Sequence, residues 1–238
     1  DVNLINQVNT KLDQIEEVGY IKYVQPAAYN AGSQSFNNNG SSTPTAPFNN
    51  SNIGQQSYTS GYNDAQTAFN QGQTDGLTSV KNSNNVQNVF NQPSSVPSTY
   101  TNNNVQSSYL TGYKGAVDGY KDGVAITTGG TPNANNNQGT ANNTYATSYE
   151  NGNSQGKQQA GANDYVNNKV NQNLKASDND YSKWVDTAAQ GHAAGYSQAQ
   201  SQPGNQNITT NSTDKTYITG FNSGVSDERT DAQKLNDM

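Results

Sequence analysis

The chain has 238 residues, no cysteine and a single histidine, and its formal net charge is −6 with only 13% of its residues charged. Without cysteine, a disulfide scaffold and thiolate metal sites are excluded, and the acidic balance argues against nucleic acid as a partner. No apolar run approaches the roughly 20 residues of a membrane-spanning helix, so we expect no membrane insertion.

The composition leaves little aliphatic material for a core. Hydrophobic residues make up 29% of the chain, and this figure includes 15 tyrosines, while glycine contributes another 22 residues. Typical soluble domains reach about 45–50% apolar residues when glycine is counted. We therefore expect tyrosine rings to supply part of the core.

The first predicted element is an amphipathic helix over residues 2–24, which defines an N-terminal region 1–24. Its apolar residues recur at the spacing of one helical face, and they form the strongest amphipathic pattern in the chain: Leu4, Ile5, Val8, Leu12, Ile15 and Val18.

Residues 25–238 carry a recurring tyrosine/glycine pattern. The stretches SYTSGYNDAQ, SYLTGYKGAV, TYATSYENGN and TYITGFNSGV begin at residues 57, 108, 144 and 216, and fainter copies lie at 27–36 and 183–200. Aromatic and small residues alternate at steps of three and four, which is helical spacing. We therefore predict an all-α fold, an antiparallel helical array or bundle of irregular repeats at approximately 25–56, 57–107, 108–143, 144–182, 183–214 and 215–238.

Long polar segments separate these repeats. Residues 35–56, 91–104, 127–143 and 200–214 are rich in asparagine, serine, threonine, proline and glycine, which favour turns and loops. A residue that can cap the next helix lies at the end of each segment or shortly after it: Ser57, Ser108, Thr144, and Thr216 or Asp214. Secondary helices are predicted over 79–92 and 164–177.

The glycines need a reason, because glycine in a helix interior costs about 1 kcal/mol relative to alanine. A strip of small residues lets a second helix approach closely, as it does in membrane helices. We expect such helix packing at Gly61, Ala65, Gly112, Gly115, Gly119, Gly123, Gly220 and Gly224. Two alternatives stay open: the glycines expose a ligand groove, or the segment 109–124 is not a continuous helix.

The aromatic residues have two interpretations. Rings at helical spacing usually belong to a core, but their faces also suit stacking against a sugar. The candidates for ligand binding are the rings at one shared repeat position and the single tryptophan: Tyr62, Tyr113, Tyr149, Phe221 and Trp184.

No catalytic constellation is apparent in the sequence. His192 lacks the cysteine or histidine companions of a zinc site, so a surface or helix-packing role is expected for it. Several carboxylates are candidates for chemistry by residue type alone: Asp118, Asp122, Glu150, Asp178, Asp180, Asp227, Glu228 and Asp231. We therefore expect a non-enzyme without a metal or cofactor.

The frame in YTSGYNDAQ, YLTGYKGAV and YITGFNSGV resembles repeats of secreted, adhesin-like surface proteins of lactic acid bacteria, and the adjoining cysteine-free polar loops are similar too. This resemblance implies an extracellular or cell-surface location in a Gram-positive organism and a non-catalytic role in adhesion to a glycan or to a host or cell-surface protein. Two alternatives stay open: a self-assembling fibre or coat protein, and an accessory module of an extracellular carbohydrate-active enzyme.

Overall fold

The computed structural model describes residues 2–128 and 143–236, and this part of the chain is helical without a β-strand, which confirms the all-α class. The α-helices are α1 (Val2–Gly19), α2 (Gln25–Asn37), α3 (Asn52–Lys81), α4 (Asn103–Ala125), α5 (Asn143–Val166), α6 (Gln172–Ser177), α7 (Asn179–Ser201) and α8 (Lys215–Asn236). Most of the predicted 127–143 loop lies outside the described residues. The chain forms two compact units, residues 1–117 with 137–150, and residues 118–136 with 151–238.

Helices α1 and α2 are joined without a break. Residues Tyr20–Val24 form a π-helical turn, in which the N–H of Gln25 bonds to the carbonyl of Tyr20. Pro26 follows at the start of α2, and its ring lacks an N–H and would collide with a carbonyl of the preceding α-helical turn. The wider π turn accommodates the proline, so the helix continues through residue 24. Among the described helices, α1 included, none is long and apolar enough to span a membrane.

Three of the predicted helix caps are wrong. Helix α3 begins at residue 52, where Ser51 accepts a hydrogen bond from the N–H of Gly54 at 3.0 Å. Ser57, Ser108 and Thr144 lie inside their helices and are buried. Ser108 serves a helix contact instead, since its hydroxyl donates to the side chain of Asn37 in α2.

Other predicted boundaries have mixed outcomes. Asp214 caps α8 by accepting from the N–H groups of Thr216 and Tyr217. The predicted helix over 79–92 is wrong, since α3 ends at residue 81 and only a 3₁₀ turn at Val86–Asn88 follows. Here serine and asparagine side chains bond to nearby backbone groups, which competes with helix formation. Of the predicted helix 164–177, residues 172–177 form α6.

Neighbouring helices touch backbone to backbone at small residues. In the first unit, Gly61 of α3 lies against the carbonyl oxygen of Tyr29 in α2, and Gly32 of α2 lies against the carbonyl oxygen of Tyr58 in α3. A Cβ atom at either glycine would overlap that oxygen. Along α2 the contacts proceed from Tyr29 to Gly32, while their partners in α3 proceed backwards from Gly61 to Tyr58, so the two helices are antiparallel.

The same reciprocal contact recurs along both units. The further glycine–carbonyl contacts are Gly72 with Tyr109, Gly112 with Phe69, Gly123 with Asn153, Gly156 with Tyr120, Gly191 with Tyr217, Gly220 with Ala188, Gly195 with Phe221, and Gly224 with His192. In each reciprocal pair, the oxygen belongs to the residue three positions before the partner helix's own glycine. A residue followed by two spacers and glycine therefore supplies both halves of the contact. That residue is tyrosine or phenylalanine at seven of the ten contacts and Asn153, Ala188 or His192 at the other three.

The small residues predicted to pack between helices are buried at helix contacts. Gly61, Gly112, Gly123, Gly220 and Gly224 make the reciprocal contacts above, and Gly115 lies against the backbone and side chain of residues 145–149 in α5. The remaining two are Ala65, which is fully buried between helices, and Gly119, which is buried and whose carbonyl accepts from the amide of Asn153.

Aromatic rings fill the space beside these contacts. In the first unit, Phe36, Phe69 and Tyr109 bring α2, α3 and α4 together with small alanines. In the second unit, one cluster packs Tyr181 and Val185 against α5, and another packs Phe221 against α7. Each core is therefore aromatic and small-residue in character.

We predict that Gly61→Ala and Gly220→Ala each destabilise the protein by about 2 kcal/mol or more, because the added methyl group meets a backbone oxygen that cannot rotate away. Urea unfolding followed by circular dichroism measures the loss. Gly19→Ala is the matched control, since a Cβ at Gly19 meets nothing within 4 Å and alanine favours the helix. Equal stability of Gly61→Ala and Gly19→Ala would contradict the contact.

Candidate functional site

The aromatic residues proposed for ligand binding fall into two groups. Tyr113, Tyr149 and Phe221 are only 6%, 8% and 2% exposed. A buried ring has no free face for a sugar, so the stacking hypothesis finds no support in the placement of these three. Tyr62 and Trp184 are partly exposed.

Both partly exposed rings are also engaged with neighbouring residues. Tyr62 packs edge-on against Phe36, with the ring centroids 5.4 Å apart. The Nζ atom of Lys183 lies 4.6 Å from the centre of the Trp184 ring, and the buried Nε1 of Trp184 has no hydrogen-bond partner among the described residues. Three of the five candidates, Tyr62, Tyr113 and Tyr149, belong to the first unit, and Trp184 and Phe221 belong to the second.

Tyrosine hydroxyls instead serve the helix contacts. The hydroxyl of Tyr29 donates to Asp64 at 2.6 Å. Asp64 lies three residues after Gly61, the glycine that touches the carbonyl of the same tyrosine. The backbone contact therefore sets the register in which hydroxyl and carboxylate meet.

This register rule holds at further contacts. Tyr109 donates to Asp75, three residues after Gly72, and Tyr181 donates to Asp164, three residues after Gly161. The remaining members are Tyr120 with Gln159 and His192 with Asp227. The aspartate acceptors stand three residues after glycine in GYND, GQTD, GAND and GVSD. The sequence alone does not reveal this pattern, because nothing in it indicates which tyrosine or histidine each aspartate meets.

These pairs change how the tyrosines titrate. Burial, reinforced by the bond to Asp164, raises the pKa of Tyr181 to about 12, and burial raises the pKa of Tyr120 to about 12. Burial and the neighbouring carboxylates likewise raise the pKa values of Tyr29 and Tyr109. The phenols are thus neutral donors at physiological pH.

One open groove in the second unit combines an aromatic wall with several polar groups. It has a volume of about 390 Å³ and is lined by Tyr165, Val166, Asn168, Val170, Gln172, His192, Ser223 and Asp227. The Nε2–H of His192 donates to Asp227 at 2.9 Å, and the Tyr165 ring meets the imidazole edge-on with centroids 5.7 Å apart. The side chain of His192 is thus partly exposed at the surface, and it also packs against a neighbouring ring.

The turn after α5 shapes this groove. Asn168 adopts a left-handed backbone conformation, with φ of 54°, which asparagine tolerates better than most residues. The N–H of Lys169 then bonds back to the carbonyl of Asp164 at 2.8 Å and closes the end of α5. This reversal carries the chain to Gln172, which lines the groove together with His192 of α7 and Ser223 of α8.

The groove offers hydrogen bonding rather than metal chemistry. Its amide, hydroxyl, imidazole and carboxylate groups supply both donors and acceptors. No cluster of three or more potential metal ligands occurs in residues 2–128 and 143–236. Sequence reasoning singled out His192 and Asp227 but not Asn168, Gln172 or Ser223, which no motif connects.

Asp178, another carboxylate considered for chemistry, has a structural role. It caps α7 by accepting from the N–H of Tyr181 at 2.9 Å, and it pairs with Lys157 at 2.7 Å. Burial works against the charged carboxylate, but Lys157 and the N–H groups of the helix start lower the pKa of Asp178. The stretch DND therefore anchors a helix start.

We predict that stability falls as the pH rises above about 10. The tyrosines of the unfolded chain ionise near 10, whereas Tyr181 and Tyr120 in the folded chain hold their protons to about 12. Because the unfolded state loses protons first, the contribution of these two tyrosines to the free energy of unfolding is constant below about pH 10 and decreases between the two pKa values.

Urea unfolding at a series of alkaline pH values, with tyrosine ionisation followed by ultraviolet absorbance, checks this. Tyr181→Phe is the control: it loses the hydrogen bond to Asp164 and the one from the N–H of Asn171 at every pH, and it shows a shallower alkaline decrease. Ionisation of all tyrosines near pH 10 in a chain that stays folded would contradict the raised pKa values.

The chain matches no protein-family model, no curated protein and no solved structure.

Proposed function

We propose that this chain is a non-catalytic extracellular surface protein that binds a glycan or a host- or cell-surface molecule, and that the groove beside His192 is its binding site. The observation that carries the proposal is the lining of that groove, where a partly exposed ring pair meets amide, hydroxyl and carboxylate groups within about 390 Å³.

The groove suits a neutral ligand that is rich in hydroxyl groups. Binding sites for small ligands combine apolar walls with a few well-placed polar groups. Here Tyr165 and Val170 provide apolar surface, while Gln172, Ser223 and Asp227 provide hydrogen-bond donors and acceptors. A sugar presents the matching pattern, with apolar C–H faces and hydroxyls at its rim.

The pairing of His192 with Asp227 favours binding over catalysis. Both residues belong to the series of helix-contact pairs, in which the same geometry joins tyrosine to aspartate. The imidazole also lies between the Tyr165 and Tyr196 rings. Its position is accounted for by packing, and it presents a fixed polar wall to the groove.

We further propose that the helices are irregular copies of one repeat joined by long asparagine-, serine- and threonine-rich loops. The support is the recurrence of the same glycine–carbonyl contact and the same hydroxyl–carboxylate register in both units. Such a scaffold holds the groove on helices rather than on loops alone.

A glycan array followed by calorimetry with a single soluble oligosaccharide tests the binding proposal. We expect the double variant Gln172→Ala, Ser223→Ala to bind roughly tenfold more weakly or worse, because each lost neutral hydrogen bond is worth about 0.5–1.5 kcal/mol. Asn173→Ala, an exposed amide next to the groove residue, is the matched control.

Circular dichroism of each variant separates loss of binding from loss of fold. Failure of the unmodified chain to bind any glycan or mucin, or unchanged affinity in the double variant, would refute the groove as a glycan site.

A further inference from the structure

Helix α1 exposes an apolar face that no described part of the chain covers. None of its residues is buried, and its apolar side chains are 50–73% exposed. In a chain with so few aliphatic residues, this is the largest concentration of them. A contiguous exposed apolar face of this kind marks an interaction surface.

The spacing within this face is that of a coiled coil. Ile5, Val8, Leu12 and Ile15 are separated by steps of 3, 4 and 3, which places them at alternating a and d positions of a heptad. Leu4 and Val18 fall at the neighbouring g positions and widen the stripe.

Opposite charges flank the stripe on its two sides. Lys11 falls at a g position, and Glu16, five residues later, falls at the following e position. In a parallel coiled coil, a g residue of one helix lies beside the next e residue of its neighbour. Two copies of α1 in parallel and in register thus place each lysine beside the other copy's glutamate, whereas antiparallel helices would place Lys11 beside other g residues.

From this spacing and charge complementarity, we propose that α1 is a self-association helix through which copies of this chain form a parallel coiled coil. Leucine at a with isoleucine at d favours three or four helices over two, and Leu12 and Ile15 occupy those positions. The inference is independent of the groove beside His192, and it gives the protein several copies of whatever its other surfaces bind.

The charge of α1 argues against a lipid surface as the occupant. Helices that lie on membranes carry lysine and arginine on their polar face. Here the polar face carries Asp13 and Glu17, and Glu16 borders the apolar stripe, against the single basic residue Lys11 within α1.

Sedimentation equilibrium of the full chain across a wide range of concentration tests the proposal, and we expect a mass of three or four chains. Leu12→Glu is expected to weaken association roughly a hundredfold or more, because it places a charge in the seam. Asn6→Glu, which adds the same charge on the opposite face of α1, is the matched control and should associate normally.

A charge exchange tests the parallel arrangement separately. Lys11→Glu is expected to weaken association roughly tenfold, and adding Glu16→Lys to it should restore association. Failure of the second change to restore it would overturn the parallel arrangement.

Two further results would overturn self-association itself. One is a single-chain mass at every concentration. The other is an oligomer that persists in Leu12→Glu. Binding of a monomeric chain to phosphatidylcholine–phosphatidylglycerol vesicles, lost in Leu12→Glu, would assign the face to lipid instead and equally overturn the proposal.

Discussion

The contact of a glycine with a carbonyl oxygen of the neighbouring helix is the constraint on which each unit depends. At Gly61 and Gly220 the partner backbone occupies the space that a Cβ atom would need. Close approach of this kind permits weak Cα–H···O contacts and dense dispersion contacts between backbones. A chain with few leucines can thus hold helices together, and its aromatic rings lie beside the contacts rather than forming a broad aliphatic core.

The same constraint fixes which polar side chains meet. Once Gly61 touches Tyr29, the residue three positions on, Asp64, lies within reach of the phenol. The pair of His192 with Asp227 belongs to this series, because Gly224 touches the carbonyl of His192. What distinguishes it is its surroundings, since the turn after α5 leaves this pair beside an open groove. A structural pair thereby becomes part of a candidate binding surface.

The steps of three and four between aromatic and small residues were enough to predict helices, their approximate positions and the all-α class. The prediction that Ser57 and Ser108 cap the starts of helices was wrong. Serine is both a good N-cap residue and small enough to be buried inside a helix, and only the burial of its side chain distinguishes the two roles. The groove was not predicted, since Gln172 and Ser223 meet through a left-handed turn at Asn168 and through helix pairing. Periodicity identifies which side of a helix packs against a neighbour, but it does not identify the neighbouring helix.

The small-residue character of the cores also bears on how stability varies with temperature. The heat capacity change of unfolding rises with the apolar surface that is exposed and falls with the polar surface. Here the buried contacts are largely backbone, alanine and phenol groups, so the change per residue is smaller than in an aliphatic-rich domain. The stability curve is correspondingly flat, and folding weakens little on cooling.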